Sequence, residues 1–119
     1  MSATADPTAL IPLHPLAFQV LLILMEGECH GYGIAKAIEA KDARLGRIYP
    51  TNLYRRLRDM VRDGLIQESK AAGDDGSRRS TFEITQLGRQ VAVEEARRLE
   101  SAVADARRYK LLAQRSGDQ

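Results

Sequence analysis

The sequence predicts a mainly α-helical protein with a small β-hairpin and a long C-terminal helix. Three features predict this arrangement. Apolar residues recur at helical spacing in three short segments before Gly64, two segments of strand character then flank a Gly-Asp-Asp-Gly loop, and a long stretch without proline follows Thr85. Together these features indicate a fold in which helices outnumber strands.

The length and composition suit one soluble globular domain. Of the 119 residues, 44% are hydrophobic and 29% are charged, which allows a modest core. The single cysteine, Cys29, excludes an internal disulfide and cannot form a thiolate metal site alone, so we expect an apolar packing residue in a reducing, cytoplasmic protein. The most apolar stretch, residues 20–25, is far shorter than the roughly 20 residues of a membrane-spanning helix, and we expect no membrane partner.

We divide the chain into four parts. Residues 1–12, with their small residues and prolines, are expected to form a flexible N-terminal arm, and residues 13–86 the ordered domain. Residues 87–115 are expected to form the C-terminal helix, and residues 116–119 a disordered tail.

The first two helices are marked by their starts and by their apolar residues. Pro15 suits a first helical turn, and nearly continuous apolar residues towards Gly27 predict a buried helix over 15–26. A second, shorter helix is predicted in "HGYGIAKAIEAK", where apolar residues repeat at helical spacing from Ile34 to Ile38.

The third predicted helix concentrates arginine on one face. Pro50 suits its first turn and Gly64 closes it. Its apolar stripe consists of Leu53, Leu57, Met60 and Val61. At about 100° per residue, the opposite face carries Thr51, Arg55, Arg58 and Arg62, with Asn52, Tyr54 and Arg56 on the flanks. The arginines are therefore expected to point outwards together.

A β-hairpin is predicted after Gly64. Its strands are residues 65–70 and 80–84, and Arg78 and Arg79 lie near its tip. Three helices followed by such a hairpin form a winged helix-turn-helix, which offers its third helix to the DNA major groove. Arginine suits that role because it can bind either a phosphate or a guanine edge through two hydrogen bonds.

The distribution of charge favours a polyanionic partner for this central part. Residues 30–82 hold eleven Lys or Arg against seven Asp or Glu, an excess of +4 in a chain whose formal net charge is +2. An excess of this size is suggestive, although charged helix faces are usually only solvated.

The C-terminal helix has the narrow apolar seam of a helix that pairs with another helix. Its seam residues, at alternating spacings of four and three, are Ala92, Ala96, Leu99, Val103 and Ala106. We expect this seam, with Phe18 and Tyr109, to join two copies of the chain; the alternative is a helix that folds back on its own domain. Glu94 and Arg98 are expected to pair on its outer face and to stabilise the helix by about 0.2–0.5 kcal/mol.

Three segments resemble, in order, the signatures of the PadR-like transcriptional regulators. They are "HPLAFQVLLILMEGECHGYGIAKAIE", "IYPTNLYRRLRDMVRDGLI" and "SRRSTFEITQLGR", within residues 13–91. The short C-terminal part resembles the subgroup with a single dimerisation helix. The resemblance implies a homodimeric repressor that binds a pseudo-palindromic operator in double-stranded DNA and is often released by a small-molecule effector.

The resemblance and the arginine face together give a predicted set of DNA-contacting residues. Tyr32 and Tyr54 match tyrosines of the family at the start of the second helix and in the recognition helix, which implies DNA-proximal roles. The full set is Tyr32, Lys36, Thr51, Asn52, Tyr54, Arg55, Arg58, Arg78 and Arg79. Two features depart from the family pattern. Thr51 and Asn52 stand where Gly and then Thr or Ser are common, and the acidic Asp74 and Asp75 occupy the wing tip.

Nothing in the sequence indicates an enzyme, a metal site or a cofactor. No nucleophile–base pair or glycine-rich phosphate loop is present, and His14 and His30 are isolated, so we expect helix-cap or packing roles for both. Two other functions stay open: a winged-helix module for protein contact, and a ligand-binding dimer without its own operator. A steep fall of DNA affinity with salt would favour the DNA-binding function.

Overall fold

The computed structural model describes residues 6–45, 52–72 and 78–113, without the side chains of residues 42–45, 71, 72, 78 and 79. The predicted class, mainly α with a small antiparallel sheet, is confirmed. In chain order the elements are a 3-10 helix (Pro7–Leu10), α1 (Pro15–Leu24), β1 (Cys29–His30), α2 (Gly31–Leu45), α3 (Leu53–Arg62), β2 (Ile66–Ala72), β3 (Arg78–Ile84) and α4 (Gln86–Arg108). None of the described helices is both long enough and apolar enough to cross a membrane.

The core is built around α1, which contacts α2, α3, β3 and α4. The core-facing residues of the first three helices are Leu16, Val20, Leu21 and Leu24 of α1, Ile34 and Ile38 of α2, and Leu53, Leu57 and Met60 of α3. Burial of each large apolar side chain stabilises the fold by about 1.5–3 kcal/mol. This packing fixes α2 and α3 against α1 and leaves the polar side of α3 outermost.

Two histidines cap the first two helices, in the role expected from the sequence. Nδ1 of His14 accepts a hydrogen bond from the Leu16 N–H at 3.0 Å, and Nδ1 of His30 accepts one from the Gly33 N–H at 3.0 Å. Burial, with a smaller contribution from the charge of Arg56, lowers the pKa of His14. A lowered pKa favours the neutral ring, and this cap needs a neutral ring because a protonated Nδ1 cannot accept a hydrogen bond.

The first two helices differ in length from the prediction. α1 ends at Leu24, and the chain turns through Gly27, whose φ of 135° suits glycine. α2 has 15 residues against 10 in α1, so the prediction of a shorter second helix is wrong. The apolar repeat of α2 stops at Ile38, but no glycine or proline interrupts the sequence before Gly46, and the helix therefore continues.

The predicted hairpin is confirmed, and a third strand joins it. β2 and β3, together called the wing, pair antiparallel with Ile66 opposite Ile84 and Glu68 opposite Phe82. β1 pairs with the other edge of β3, with Cys29 also opposite Phe82. Two residues are too few to show the alternation of a strand, which is why the sequence did not predict β1. This strand attaches the start of α2 to the wing.

A compact junction links α3, the wing and α4. Gly64, with a φ of 82°, closes α3 as predicted, and the Leu65 N–H donates to the Met60 carbonyl at 3.0 Å. The Thr85 hydroxyl caps α4 by accepting from the Gly88 N–H at 2.9 Å, and it donates to the Gly64 carbonyl at 2.6 Å. Gly88 is buried, and a methyl group there would overlap the Leu65 carbonyl oxygen.

The first half of α4 packs on its own chain. Val91 and Ala92 are buried in the core, and the buried Glu95 accepts a hydrogen bond from the Leu13 N–H at 3.2 Å. The 3-10 helix Pro7–Leu10, within the segment expected to form an arm, also contacts α4. The residues before α1 are therefore attached to α4 at two places.

The ion pairs of α4 differ from the expected one. Glu94 pairs with Arg97 at 3.0 Å, and Arg98 pairs with Glu95 at 2.7 Å, so the predicted Glu94–Arg98 pair is wrong. The reason is tertiary: Glu95 is buried against the segment before α1, and a buried carboxylate needs a partner more than an exposed one does.

Candidate nucleic-acid interface

The outer face of α3 presents polar side chains to solvent, as its periodicity predicts. Its exposed residues are Tyr54, Arg55, Arg58 and Arg62, preceded by the exposed Asn52. The Asn52 side chain makes no capping hydrogen bond to the helix that follows it. Its amide is therefore not committed to the helix terminus.

Neighbouring carboxylates divide the arginines of α3 into two groups. Arg62 lies 3.3 Å from Asp59, and Arg56 lies 3.9 Å from the same carboxylate. Among the carboxylates that the structure describes, none lies within ion-pairing distance of Arg55 or Arg58. These two guanidinium groups therefore present a positive charge that no described acidic group neutralises.

A second aromatic and cationic group lies at the start of α2. The Tyr32 ring is 65% exposed and stacks on His30 with ring centroids 6.4 Å apart. Nζ of Lys36 lies 5.5 Å from the Tyr32 ring centroid, and it also pairs with Glu39 at 3.7 Å. Both predicted contact residues of α2 are thus exposed and close together.

A cleft of about 700 Å³ separates α3 and the start of α2 from the wing. Three predicted contact residues, Tyr32, Tyr54 and Arg58, line it together with Phe82 and Glu68 of the wing. Glu68 is exposed and supplies a carboxylate to a wall that otherwise offers phenols, a guanidinium, an imidazole, a hydroxyl and apolar groups. Alternation along β2 predicts that Glu68 shares a face with Ile66, but which element that face lies against depends on how the wing packs.

The side chains of three predicted residues lie outside the described part of the chain. They are the side chains of Thr51, Arg78 and Arg79. The acidic wing-tip residues Asp74 and Asp75 also lie outside the described part of the chain. Arg78 and Arg79 begin β3, so their backbone lies at the end of the wing nearest its loop.

The residues predicted at a dimer contact fall into two environments. Ala92 is 7% exposed in the core of its own chain, which leaves little of its surface for a second chain. Buried side chains in α4 end at Glu95, and beyond it Val103 is 37% exposed. Of the others, Ala96 and Tyr109 are exposed, and Phe18, Leu99 and Ala106 are half-buried.

Three further apolar residues, on α1, just after it and on α4, are exposed and were not predicted to be. They are Leu22 at 38%, Met25 at 45% and Val93 at 47% exposed. Nη1 of Arg89 lies 3.6 Å from Sδ of Met25, so the end of α1 is beside the first turns of α4. The sequence carried one indication, because α1 is apolar nearly all round and the elements packed against it leave Leu22 exposed.

Solved structures of several bacterial regulators share this fold. A PadR family transcription regulator from Clostridium difficile R20291 aligns with a TM-score of 0.71 and 18% identity, over 81% of this chain and 98% of that chain. A PadR-like transcriptional regulator from Bacillus cereus gives 0.65 and 20% identity, over 84% and 93%. Bacillus subtilis PadR in complex with operator DNA gives 0.62 and 18% identity, over 68% and 46%. At these identities the similarity is one of fold.

Comparison at the level of sequence identifies the family. No curated protein matches the chain significantly. The model of the transcriptional regulator PadR-like family matches residues 20–94, which run from α1 through the wing into α4. Proteins of this family are regulators of transcription, which confirms the prediction that the chain is not an enzyme. A match that spans the helix-turn-helix, the wing and the cleft between them means that this chain belongs to the PadR-like family of transcriptional regulators.

Proposed function

We propose that this chain is a sequence-specific DNA-binding regulator whose α3 enters the major groove. The observation that carries the proposal is the exposed face of α3, where Arg55 and Arg58 have no described carboxylate partner. A major groove admits one helix, and guanidinium and amide groups can each bind a base edge through two hydrogen bonds. Bacillus subtilis PadR, which has the same fold, was solved with operator DNA, and this supports DNA as the partner.

The cleft between α3 and the wing fits the passage of a DNA strand. With α3 in the major groove, the adjacent sugar–phosphate backbone lies between that helix and the wing. Arg58 and the phenols of Tyr32 and Tyr54 line this cleft and can donate hydrogen bonds to phosphate oxygens. Lys36 adds a cation beside Tyr32.

We propose different roles for the residues that face the bases and for those that face the DNA backbone. Arg55 and Asn52 read bases, because they lie on α3 and at its start, away from the cleft lining. Thr51 belongs with them by its place in the sequence. Arg78 and Arg79, at the end of the wing, bind phosphates without regard to sequence.

We further propose that the regulator is a homodimer on a pseudo-palindromic operator. One winged helix of this size contacts too little DNA to bind tightly alone. Two copies joined through the second half of α4 would address half-sites about one helical turn, 34–36 Å, apart. Two exposed apolar residues of the predicted seam support the contact: Val103 within the second half of α4, and Ala96 just before it.

Repression, release by a small-molecule effector and a cytoplasmic location complete the proposal. The first two rest on the resemblance to PadR-like repressors. The location follows from the need to reach DNA, and a single cysteine is compatible with a reducing compartment.

Selection of genomic fragments by the purified protein, followed by titration of a selected duplex, tests DNA binding. Arg55→Ala should weaken operator binding by about 1–3 kcal/mol and reduce the preference for operator over scrambled DNA. Arg78→Ala should weaken binding to both duplexes alike. Arg62→Ala is the matched control, since it removes the same charge from the same helix where Asp59 already neutralises it.

Two outcomes would contradict the proposal of sequence-specific DNA binding by α3. One is a protein that selects no fragment and whose weak affinity for duplexes does not fall with salt. The other is an equal loss of affinity in Arg55→Ala and Arg62→Ala, which would mean that only the overall charge of α3 matters.

Val103→Glu tests the dimer. The substitution sets two carboxylates against each other in a buried two-fold contact, so dimerisation and operator affinity should fall together although no DNA-facing residue has changed. Ser101→Glu adds the same charge on the opposite side of α4 and should change neither. Sedimentation and operator titration measure both properties. A folded Val103→Glu protein that stays dimeric with full affinity would place the dimer contact elsewhere.

A further inference from the structure

Gly31 occupies a position where α2 and α3 meet on the candidate DNA face. It is the first residue of α2, it is buried, and it lines the cleft. A methyl group on Gly31 would lie 2.9 Å from Cε1 of Tyr54, 3.5 Å from its hydroxyl oxygen and 3.6 Å from its Cζ. The Tyr54 ring therefore lies directly over the start of α2, in space that any other residue at 31 would fill.

The backbone itself does not require glycine at this position. Among the described glycines, only Gly27 and Gly64 have a positive φ, so alanine fits the backbone at 31 without strain. Alanine is also favoured over glycine within a helix. The atom that a methyl group would meet is Cε1, at the outer end of the Tyr54 side chain. Tyr54 is 53% exposed, so its ring is not held on every side. The ring could move aside at little cost to the fold.

Two other glycines show the contrast. At Gly88 the obstacle is the backbone carbonyl of Leu65, which cannot move aside. At Gly33, two residues along α2, the atoms nearest to an added methyl group are Sγ of Cys29 at 2.6 Å and the ring of His30, not the Tyr54 ring. Gly31 is thus the glycine of α2 whose missing side chain makes room for a residue of the recognition helix.

We propose that Gly31 is a positioning residue for DNA recognition: without touching DNA, it lets the Tyr54 ring lie against α2 and holds the phenol on the DNA-facing side of the cleft. This inference rests on the proposed function, in which Tyr54 contacts DNA. Fold stability and DNA affinity then make opposite demands at this position. Alanine suits the helix, and glycine suits the placement of Tyr54.

A double-mutant cycle tests the inference. Gly31→Ala should unfold at the same or higher denaturant concentration than the parent, yet it should bind the selected operator about five- to tenfold more weakly, and so should Tyr54→Ala. The double variant should bind no more weakly than Tyr54→Ala alone, because the displaced ring is then absent. Gly33→Ala is the matched control: it adds the same methyl group to the same turn, and its effect should be unchanged by Tyr54→Ala.

The outcomes separate this inference from the proposed function. If Tyr54→Ala weakens operator binding and Gly31→Ala does not, or if the two losses multiply in the double variant, Gly31 does not act through Tyr54 and the inference fails. It also fails if Gly31→Ala is less stable and Tyr54→Ala does not restore the lost stability. If neither variant changes binding while Arg55→Ala does, the inference fails and the proposed function stands. A parent protein that binds no DNA would contradict both the inference and the proposed function.

Discussion

For single residues, whether a charged side chain is already in an ion pair matters more for DNA binding than its residue type. Four arginines lie on α3, but Arg62 and Arg56 share the carboxylate of Asp59. Nε of Arg56 is buried and has no hydrogen-bond partner within the described residues, so this side chain belongs to the packing of the domain. Arg55 and Arg58 are the guanidinium groups of the helix that can exchange water for DNA without first losing a described ion pair.

Glu68 provides a test at this scale, because its carboxylate lines the cleft that we assign to a DNA strand. A carboxylate there repels phosphate, so Glu68→Gln should strengthen binding to operator and scrambled duplexes alike. The gain should be about two- to fivefold at low salt and should shrink as salt is raised. Parallel titrations at two salt concentrations measure it.

Glu83→Gln is the control for Glu68→Gln. Glu83 is next to Phe82 on β3 and therefore faces the other side of the wing, where Gln67 donates to it at 3.1 Å. It should leave the affinity nearly unchanged. Weaker binding by Glu68→Gln would show that the carboxylate supports the DNA site.

At the scale of elements, short connections decide where the recognition helix and wing lie. α3 ends at Arg62, β2 begins at Ile66, and the Thr85 hydroxyl joins the start of α4 to Gly64 in the turn between them. β1 joins the start of α2 to the far edge of the wing. The candidate DNA face is therefore attached to the wing's β3 strand twice, through β1 at Thr81 and Phe82 and through α4 at the end of the strand.

Gly88→Ala tests this junction. The added methyl group overlaps the Leu65 carbonyl oxygen and approaches Cγ1 of Ile84 to 2.8 Å, so either α4 or the wing must shift. We expect a loss of about 2–3 kcal/mol in the free energy of unfolding, measured by chemical denaturation. Gln90→Ala, an exposed position on the same helix, should change stability by no more than about 0.5 kcal/mol. Unchanged stability in Gly88→Ala would mean that the junction is looser than its contacts indicate.

At the scale of the whole molecule, α4 has two halves with different partners. Its first half is part of the domain core and is tied through Glu95 to the Leu13 backbone. Its second half has no buried side chain within one chain. The same helix thus anchors the DNA-binding domain and offers the surface that we assign to a second copy. A displacement of α4 at that contact would therefore also displace the domain.

The Glu95 link predicts how the fold responds to acid. Hydrogen bonds from Arg98, more than the Leu13 N–H and against the opposing effect of burial, hold the pKa of the Glu95 carboxyl below its ordinary value of 4.5. Because the folded pKa is the lower one, this contribution to stability is complete above about pH 4.5 and is lost as the pH falls through the folded pKa.

Glu95→Gln tests that prediction. It should lower the free energy of unfolding at pH 7 by about 1–2 kcal/mol, a modest loss because the Arg98 side chain is 40% exposed and partly screened. The difference from the parent should narrow when unfolding is measured below pH 4. Glu94→Gln removes the same charge from the exposed pair with Arg97 and controls for net charge. A difference that stays constant between pH 7 and pH 3 would contradict the assignment.

Features that depend on local periodicity follow from the order of residues alone. The stripe of Leu53, Leu57 and Met60 defined the outward face of α3, because a helix turns about 100° per residue whatever it packs against. Alternation and turn residues defined the wing, and the ordered motifs identified the family. These features need only neighbours along the chain.

Packing between elements sets which of these residues are available and what surrounds them. Asp59 is within helical spacing of Arg55, Arg56 and Arg62, and the structure shows that it pairs with the last two. The burial of Ala92 and the contact of Tyr54 with Gly31 depend on elements that are far apart in the sequence. The physical reason is that close packing fixes distances between elements through many side chains at once. Whether a methyl group fits at residue 31 is therefore set by the position of Tyr54 on α3 relative to α2, which cannot be predicted from a local sequence pattern.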